Sequence, residues 1–420
     1  MRIHDLTRAA IVALPLFSLI AGCSRTEVAA PDDSTPLRMD PLEDVPILDD
    51  PFILPSSDWV VITDPAGLED VIELDVDVIG YDDYGTDVVA LVTAGPGVTQ
   101  EDLVSASQGA VLPNDPVSST VGTGSLVIGF VDGEFDEGGT TAWLNLNLPG
   151  VHSLATGEGV RIGIVDTGAA MSHPALVDHV VAIQGSRLPQ TEEEPNGIND
   201  DPENDDLIDE GWGHGTFVAG EVAITAPGVE ILPVRALNSE GLGSVIDVIS
   251  GMYFCRLHGC DIINLSLSFS DYHAEFEKLL VVFRSEGILV AAAAGNAGPA
   301  LTYFPASSPY CVSVTALTER FRFPAFASQG PLVDLAAPGW RITSVAITSP
   351  TQRAYASGTS MAVPIVCGSI AILMEEFNVS ALASYGHLRL HTQGTIPQSG
   401  TLYGAVDPFL ALHETPVGGI

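Results

Sequence analysis

The sequence predicts an α/β fold, a mostly parallel sheet with helices on both faces, preceded by a small α+β unit. Two observations carry this. From about residue 143 to 412, short apolar runs of strand length alternate with segments of helical spacing, the pattern of parallel strands joined by crossover helices. Apolar residues make up 46% of the 420-residue chain, enough for a large core and too many for a disordered chain.

Residues 1–22 read as a signal peptide. Arg2 and Arg8 precede an apolar run over 9–22 that contains Pro15. The run is shorter than the ~20 residues that span a bilayer. It ends in Ile20-Ala21-Gly22-Cys23, which resembles a bacterial lipobox. The resemblance implies a lipid on Cys23, so a chain anchored to the membrane without crossing it. Ser24 beside it implies the outer membrane. Residues 23–57 are rich in Pro and Asp with no sustained period and read as a tether.

Residues 58–138 read as the small α+β unit. WVVI, DVDVIGY, DVVALVTAG and SLVIGFVDG have strand composition, and VTQEDLVSAS has a helix pattern with Thr99 as its cap. The acidic, Gly-rich DGEFDEGGTT marks the boundary.

Residues 139–412 form the main domain, and 413–420 a tail. GVRIGIVDTG, VEILPVRAL, CDIINLSLS, GILVAAAAGN and YCVSVTAL read as buried strands. GSVIDVISGMYFCRLHG has helical spacing. SMAVPIVCGSIAILMEEF is apolar nearly all round, as a central buried helix is. Sites of such sheets gather at the carboxyl ends of the strands.

Five cysteines are present. Beyond Cys23, an exported chain can oxidise Cys255, Cys260, Cys311 and Cys367. Cys255 and Cys260 are close enough in sequence to pair. Three pairings of the four are open, as are buried free thiols. No CxxC spacing supports a zinc or redox motif. Lys plus Arg number 15 against 54 Asp plus Glu, a net charge of −39. That field repels phosphate backbones and excludes nucleic acid as a partner.

Four motifs carry chemistry: DTG at Asp166, GHGTFVAG at His214, AAAGNAG at Asn296 and GTSMAVP at Ser360. A serine hydroxyl is a weak nucleophile and needs a base. His214 can be that base. Asp166 can hold the imidazole and stabilise its cation. Asn296 can donate to an oxyanion, with the Ser360 N–H as a second donor. By contrast, His173 before Pro174 reads as a turn or packing residue.

The order Asp, His, Ser and these four motifs resemble the subtilases, the subtilisin-like serine proteases. SHPAL, VRALNSEGLGS, INLSLS and YGAVDPFLAL also fit that framework. The resemblance covers roughly residues 143–412. It implies a subtilisin-like fold and a serine endopeptidase acting on peptide or protein substrates as a monomer, with no cofactor for catalysis. It implies that Gly241, Leu242 and Gly243 pair with an extended substrate. Leu265, Ser266 and Leu267, with Ala293, Ala294 and Gly295, become the walls of the primary specificity pocket. Ser268 and Tyr303 stand where the family usually has Gly, which narrows or reshapes the pocket. Phe217 stands where GHGT is usually followed by His. The resemblance further implies that residues 58–138 are a prodomain, cut within DGEFDEGGTT, after which the enzyme is either shed from the lipid anchor or held by the cut prodomain; an uncut stalk domain is the other reading.

Residues 192–210 are strongly acidic. The oxygens of Asp201, Glu203, Asp205, Asp209 and Glu210 have spacing suited to a structural Ca2+, although Asp206 occupies the place of an EF-hand glycine. A solvated charge run is the other reading. A rival to the protease is a non-proteolytic, acidic, calcium-dependent surface binding protein on the same fold.

Overall fold

The computed structural model describes residues 58–119, 129–132, 145–181, 211–238, 240–347, 352–393 and 403–415. The small unit comprises β1 (Trp59–Thr63), α1 (Pro65–Ile72), β2 (Val76–Asp83), β3 (Val88–Ala94), α2 (Gln100–Ser107) and β4 (Ala110–Pro113). Its sheet has the order β2-β3-β1-β4, with each neighbouring pair antiparallel. α2 opens with the expected cap, a capping box between Thr99 and Asp102. α1 escaped the sequence reading. Its start is set by Pro65 and by the Asp64 carboxylate, which accepts the Gly67 N–H at 2.8 Å.

Strand alternation divides this sheet between two cores. Val61, Val88, Ala90 and Val92 pack under Leu68, Val71 and Leu103 of its own helices. Val60, Ile62, Val89 and Leu91 face the main domain. The next segments leave the sheet as β5 (Pro116–Ser119) and β6 (Gly129–Asp132).

The main domain continues with α3 (Leu148–His152), β7 (Arg161–Asp166), α4 (His214–Thr225), β8 (Glu230–Arg235), β9 (Leu242–Ser244), α5 (Val245–Leu257), β10 (Ile262–Leu265) and β11 (Leu267–Phe269). Then follow α6 (Ala274–Ser285), β12 (Leu289–Ala293), β13 (Val312–Leu317), β14 (Leu335–Pro338), β15 (Ile342–Val345) and β16 (Gln352–Ala356). α7 (Thr359–Phe377), α8 (Ala381–Leu388), β17 (Gly404–Ala405) and α9 (Pro408–His413) close it. Seven strands form one sheet in the order β17-β14-β13-β12-β10-β7-β8. Every pair in it is parallel.

Both faces of this sheet are covered, which is why its strands read as continuous apolar runs. Ile162, Ile164 and Ala291 share a core with α4 and α7. Val165, Ile263 and Val290 share the other with α5, α6 and the small unit. α7 is apolar enough over its 19 residues to suit a membrane, but 83% of its most apolar window is buried in the protein. Its far end is anchored by Glu375, whose carboxylate accepts the N–H groups of Thr156, Gly157 and Glu158 at 2.7, 2.5 and 2.9 Å.

Strand order reverses at β7. β8 lies on one side of it and β10 on the other. The carboxyl ends of β7, β10 and β12 therefore border a crevice at a topological switch point. Two further sheets have three strands each, β11-β5-β9 and β15-β16-β6. The sequence reading gave GFVD to the small unit. Those residues, 129–132, pair instead with Gln352–Ala356 of the main domain. An edge strand's composition does not say which sheet edge it will join.

Candidate active site

Asp166 ends β7 and His214 opens α4. Their side chains meet at 2.7 Å, Nδ1 to Oδ1, and both are buried, at 0% and 1% exposure for Asp166 and His214. A carboxylate only accepts, so Nδ1 carries the proton and Nε2 is left as the basic nitrogen. A buried carboxylate needs several donors. Asp166 Oδ1 also accepts the Thr167 N–H at 2.7 Å. Two threonines tie the strand end to the helix. Thr167 Oγ1 accepts from Gly215 N and Thr216 Oγ1 from Ala170 N, both at 2.9 Å.

Ser360 is the second residue of α7 and is 2% exposed. N–H groups in a helix's first turn have no intrahelical acceptor and can serve a ligand. Asn296 follows β12. Its Oδ1 accepts from Thr359 N at 2.9 Å and from Thr359 Oγ1 at 3.1 Å. With its oxygen held this way, the amide turns its NH2 group toward Gly358. A Cβ placed on Gly358 would lie 3.5 Å from Asn296 Nδ2 and 3.8 Å from Ser360 N. Two donors thus border one small space, kept open because residue 358 is glycine. Its φ of 166° is extended backbone, so the need is for room.

The sequence reading missed what holds Ser360. Pro364 sits four residues later in α7 and has no N–H for the Ser360 carbonyl. Ser266 supplies the missing donor, Oγ to O at 2.8 Å. In return Ser360 Oγ donates to the Ser266 carbonyl at 3.3 Å. Asn264 donates to Ser266 Oγ at 3.0 Å. The SMAVP spacing, with proline at the fourth place after serine, was the available signal.

The proposed groove residues fall on both sides of β5. Val117 is registered with Gly243 on β9 and with Phe269 on β11, and Ser118 with Leu242 and Ser268, all antiparallel. Gly241 and Leu242 form a turn held by Asn238, whose Oδ1 accepts the Leu242 N–H at 2.9 Å. Leu265 and Leu267 turn their side chains into the core under the small unit, which leaves only backbone and Ser266 for the expected wall. Ala293 and Ala294 are fully buried. The Tyr303 ring packs against Gly295, with Cε2 3.0 Å from where a Gly295 Cβ would stand. His173 accepts the Ala175 N–H at 3.1 Å within a turn.

Among the described residues no group of three or more His, Cys, Asp or Glu could hold a metal ion. Asp201, Glu203, Asp205, Asp209, Glu210 and Cys23 lie outside the described residues. On α4, Glu221 is fully buried and burial pushes its carboxyl well above the usual carboxylate range.

Comparison with known proteins identifies the family. A family model described as the subtilase family matches residues 157–405. Thermitase of Thermoactinomyces vulgaris is 33% identical over 242 residues, 55% of this chain and 80% of that protein. Subtilisin Savinase of Lederbergia lenta is 31% identical over 274 residues, 62% of this chain and 93% of its own. A thermophilic serine proteinase of Bacillus sp. (strain AK1) is 34% identical over 229 residues, 52% of this chain, and the match spans about half of that relative, 53%. The family match covers more than half of the chain, and the chain belongs to the subtilase family of serine peptidases.

Proposed function

We propose that this subtilase is an exported endopeptidase made as a self-inhibited precursor, with Asp166, His214 and Ser360 as its triad and Asn296 as an oxyanion donor. The observation that carries the reading is β5. An extended stretch of the chain itself lies antiparallel between Leu242–Ser244 and Leu267–Phe269, as a substrate strand would by strand addition. Ser360 Oγ attacks the scissile carbonyl while His214 Nε2 takes its proton. Asp166 stabilises the resulting imidazolium. The oxyanion receives N–H donors from Asn296 Nδ2 and Ser360 N. His214 then protonates the leaving amine, and water repeats the sequence on the acyl-enzyme.

The same register moves the expected processing site. Residues 116–119 occupy the groove and 129–132 are paired beyond it, so the cut falls between 119 and 129, upstream of DGEFDEGGTT. After the cut, the small unit stays attached through its shared core with α5 and α6. Arg256 also bridges Asp87 of the small unit and Glu286 of the main domain, at 3.1 and 2.6 Å. Tyr303 against Gly295 favours small residues on the acyl side of the cut bond. A lipid on Cys23 would anchor the precursor to the outer membrane. Ca2+ bound by the acidic residues of 192–210 would stabilise the domain. These two parts rest on sequence alone.

Ser360→Ala tests the reading. The full chain should fold, stay uncut and hydrolyse no peptide, whereas the unsubstituted chain should yield a new N-terminus between residues 120 and 129. Hydrolysis by the purified Ala variant would overturn the nucleophile. An N-terminus within 132–141 would overturn the processing site. Cys23→Ser should move the precursor from the detergent phase to the aqueous phase. Chelation should lower the melting temperature if calcium is bound.

A further inference from the structure

Cys255 and Cys260 take no part in the chemistry above. Cys255 lies near the end of α5 and Cys260 just before β10. The Cys260 N–H donates to the Cys255 carbonyl at 3.0 Å, which holds the two backbones close together. Both side chains are buried, at 0% and 3% exposure for Cys255 and Cys260, and each is a free thiol in this structure. Both sulfurs converge on Gly163 in the middle of β7. A Cβ there would lie 3.1 Å from Cys260 Sγ and closer still to Cys255 Sγ. A central strand of the main sheet thus gives up its side chain at the place where the two sulfurs meet. The other two thiols are engaged elsewhere, Cys311 with the Val312 carbonyl at 3.9 Å and Cys367 with Asn264 Oδ1 at 3.8 Å.

We infer that Cys255 and Cys260 form an intrachain disulfide in the exported protein, fastening the end of α5 to the start of β10 behind β7. Bridgeable cysteines need adjacent backbones and converging Cβ–Sγ vectors, and this pair has both. The inference rests on the export reading for its oxidising surroundings. The step is thiol–disulfide exchange with a disulfide-bearing oxidant. One thiolate attacks the donor disulfide and releases the first thiol. The second thiolate then attacks the mixed disulfide and releases the other. The S–S bond of the donor breaks, the Cys255–Cys260 bond forms, and the donor's two sulfurs leave as thiols carrying both protons and both electrons. Burial pushes the Cys260 thiol well above its ordinary range. Exchange therefore belongs to the folding chain, where the thiols are still open to a donor.

Arg256 separates the two cysteines, which makes the test direct. Trypsin cleaves after Arg256 and places Cys255 in the peptide 236–256 and Cys260 in 257–278. The full-length Ser360→Ala chain, which does not digest itself, is examined in two forms: as exported, and after reduction, unfolding and refolding in a glutathione redox buffer. Free thiols are alkylated in denaturant before digestion. The expected result in both forms is a single species holding 236–256 and 257–278, two hydrogens lighter than their sum, that separates on reduction. Recovery of both peptides alkylated from the refolded chain, or either one linked to 285–320 or 354–389, would overturn the pairing. Linkage in the refolded chain but not in the exported chain would overturn the disulfide in the exported protein and, with it, the export reading, leaving only the geometry of the pair.

Discussion

Ser266 donates its hydroxyl to the carbonyl of Ser360 at 2.8 Å, taking the place of the helix donor that Pro364 lacks. This couples Ser266, in the proposed groove wall, to the backbone of Ser360, the proposed nucleophile. Ser266→Ala would leave a buried carbonyl without a donor, at a cost of about 1–3 kcal/mol. Turnover should fall more than KM rises, because the carbonyl fixes the first turn of α7. In a Pro364→Ala background the backbone regains an N–H that can serve that carbonyl, so the cost of Ser266→Ala should shrink by about half or more. A double-mutant cycle on melting temperature measures this coupling, and additive effects would refute it.

Gly358 keeps open the space between Asn296 Nδ2 and Ser360 N. Gly358→Ala would put a methyl 3.3 Å from the flexible Met361 Sδ and 3.5 and 3.8 Å from these two donors. The backbone there is extended, with φ of 166°, so folding should survive. Turnover should fall by about 10²-fold or more, the scale of losing one oxyanion donor. Steady-state kinetics with an active-site titration checks it.

Glu221 predicts a pH slope in stability. Burial raises its folded pKa well above the ordinary carboxylate value, so the native state keeps a proton that the unfolded chain gives up. The stability linked to that proton is present in full below the unfolded pKa and is lost as pH rises through the folded one. Glu221→Gln should remove this part of the slope. It should raise the melting temperature under alkaline conditions, by about 2–4 °C for each kcal/mol relieved. Thermal scans of both proteins across pH test it, and parallel curves would count against a buried neutral carboxyl.

Tyr303 presses on the Gly295 backbone, whose N–H donates to Thr359 Oγ1 at 3.1 Å. Replacing it with Gly should open the pocket, and kcat/KM for peptides with an aromatic residue before the cut bond should rise at least about 10-fold relative to Ala peptides. One methylene in an apolar pocket is worth about 10–200-fold. An unchanged ratio would place Tyr303 outside the pocket.

By itself the sequence determined the α/β class, the strands that end in Asp166, Leu265 and Ala293, the central helix behind Ser360 and the four site motifs. Each is a local pattern: apolar runs for strands buried on both faces, an all-round apolar helix, and short Gly-flanked motifs at element ends. Only the tertiary structure decided that 116–119 pairs between β9 and β11, that 129–132 joins β16, that Tyr303 meets Gly295 and that Ser266 serves the Ser360 carbonyl. The sequence left three cysteine pairings and buried free thiols open; in the fold all four are buried free thiols, and the sulfurs of Cys255 and Cys260 converge at Gly163. Periodicity records which face of a segment is buried but not what buries it. The distant partner is selected when the whole chain packs, and that selection leaves no local trace in a residue's type.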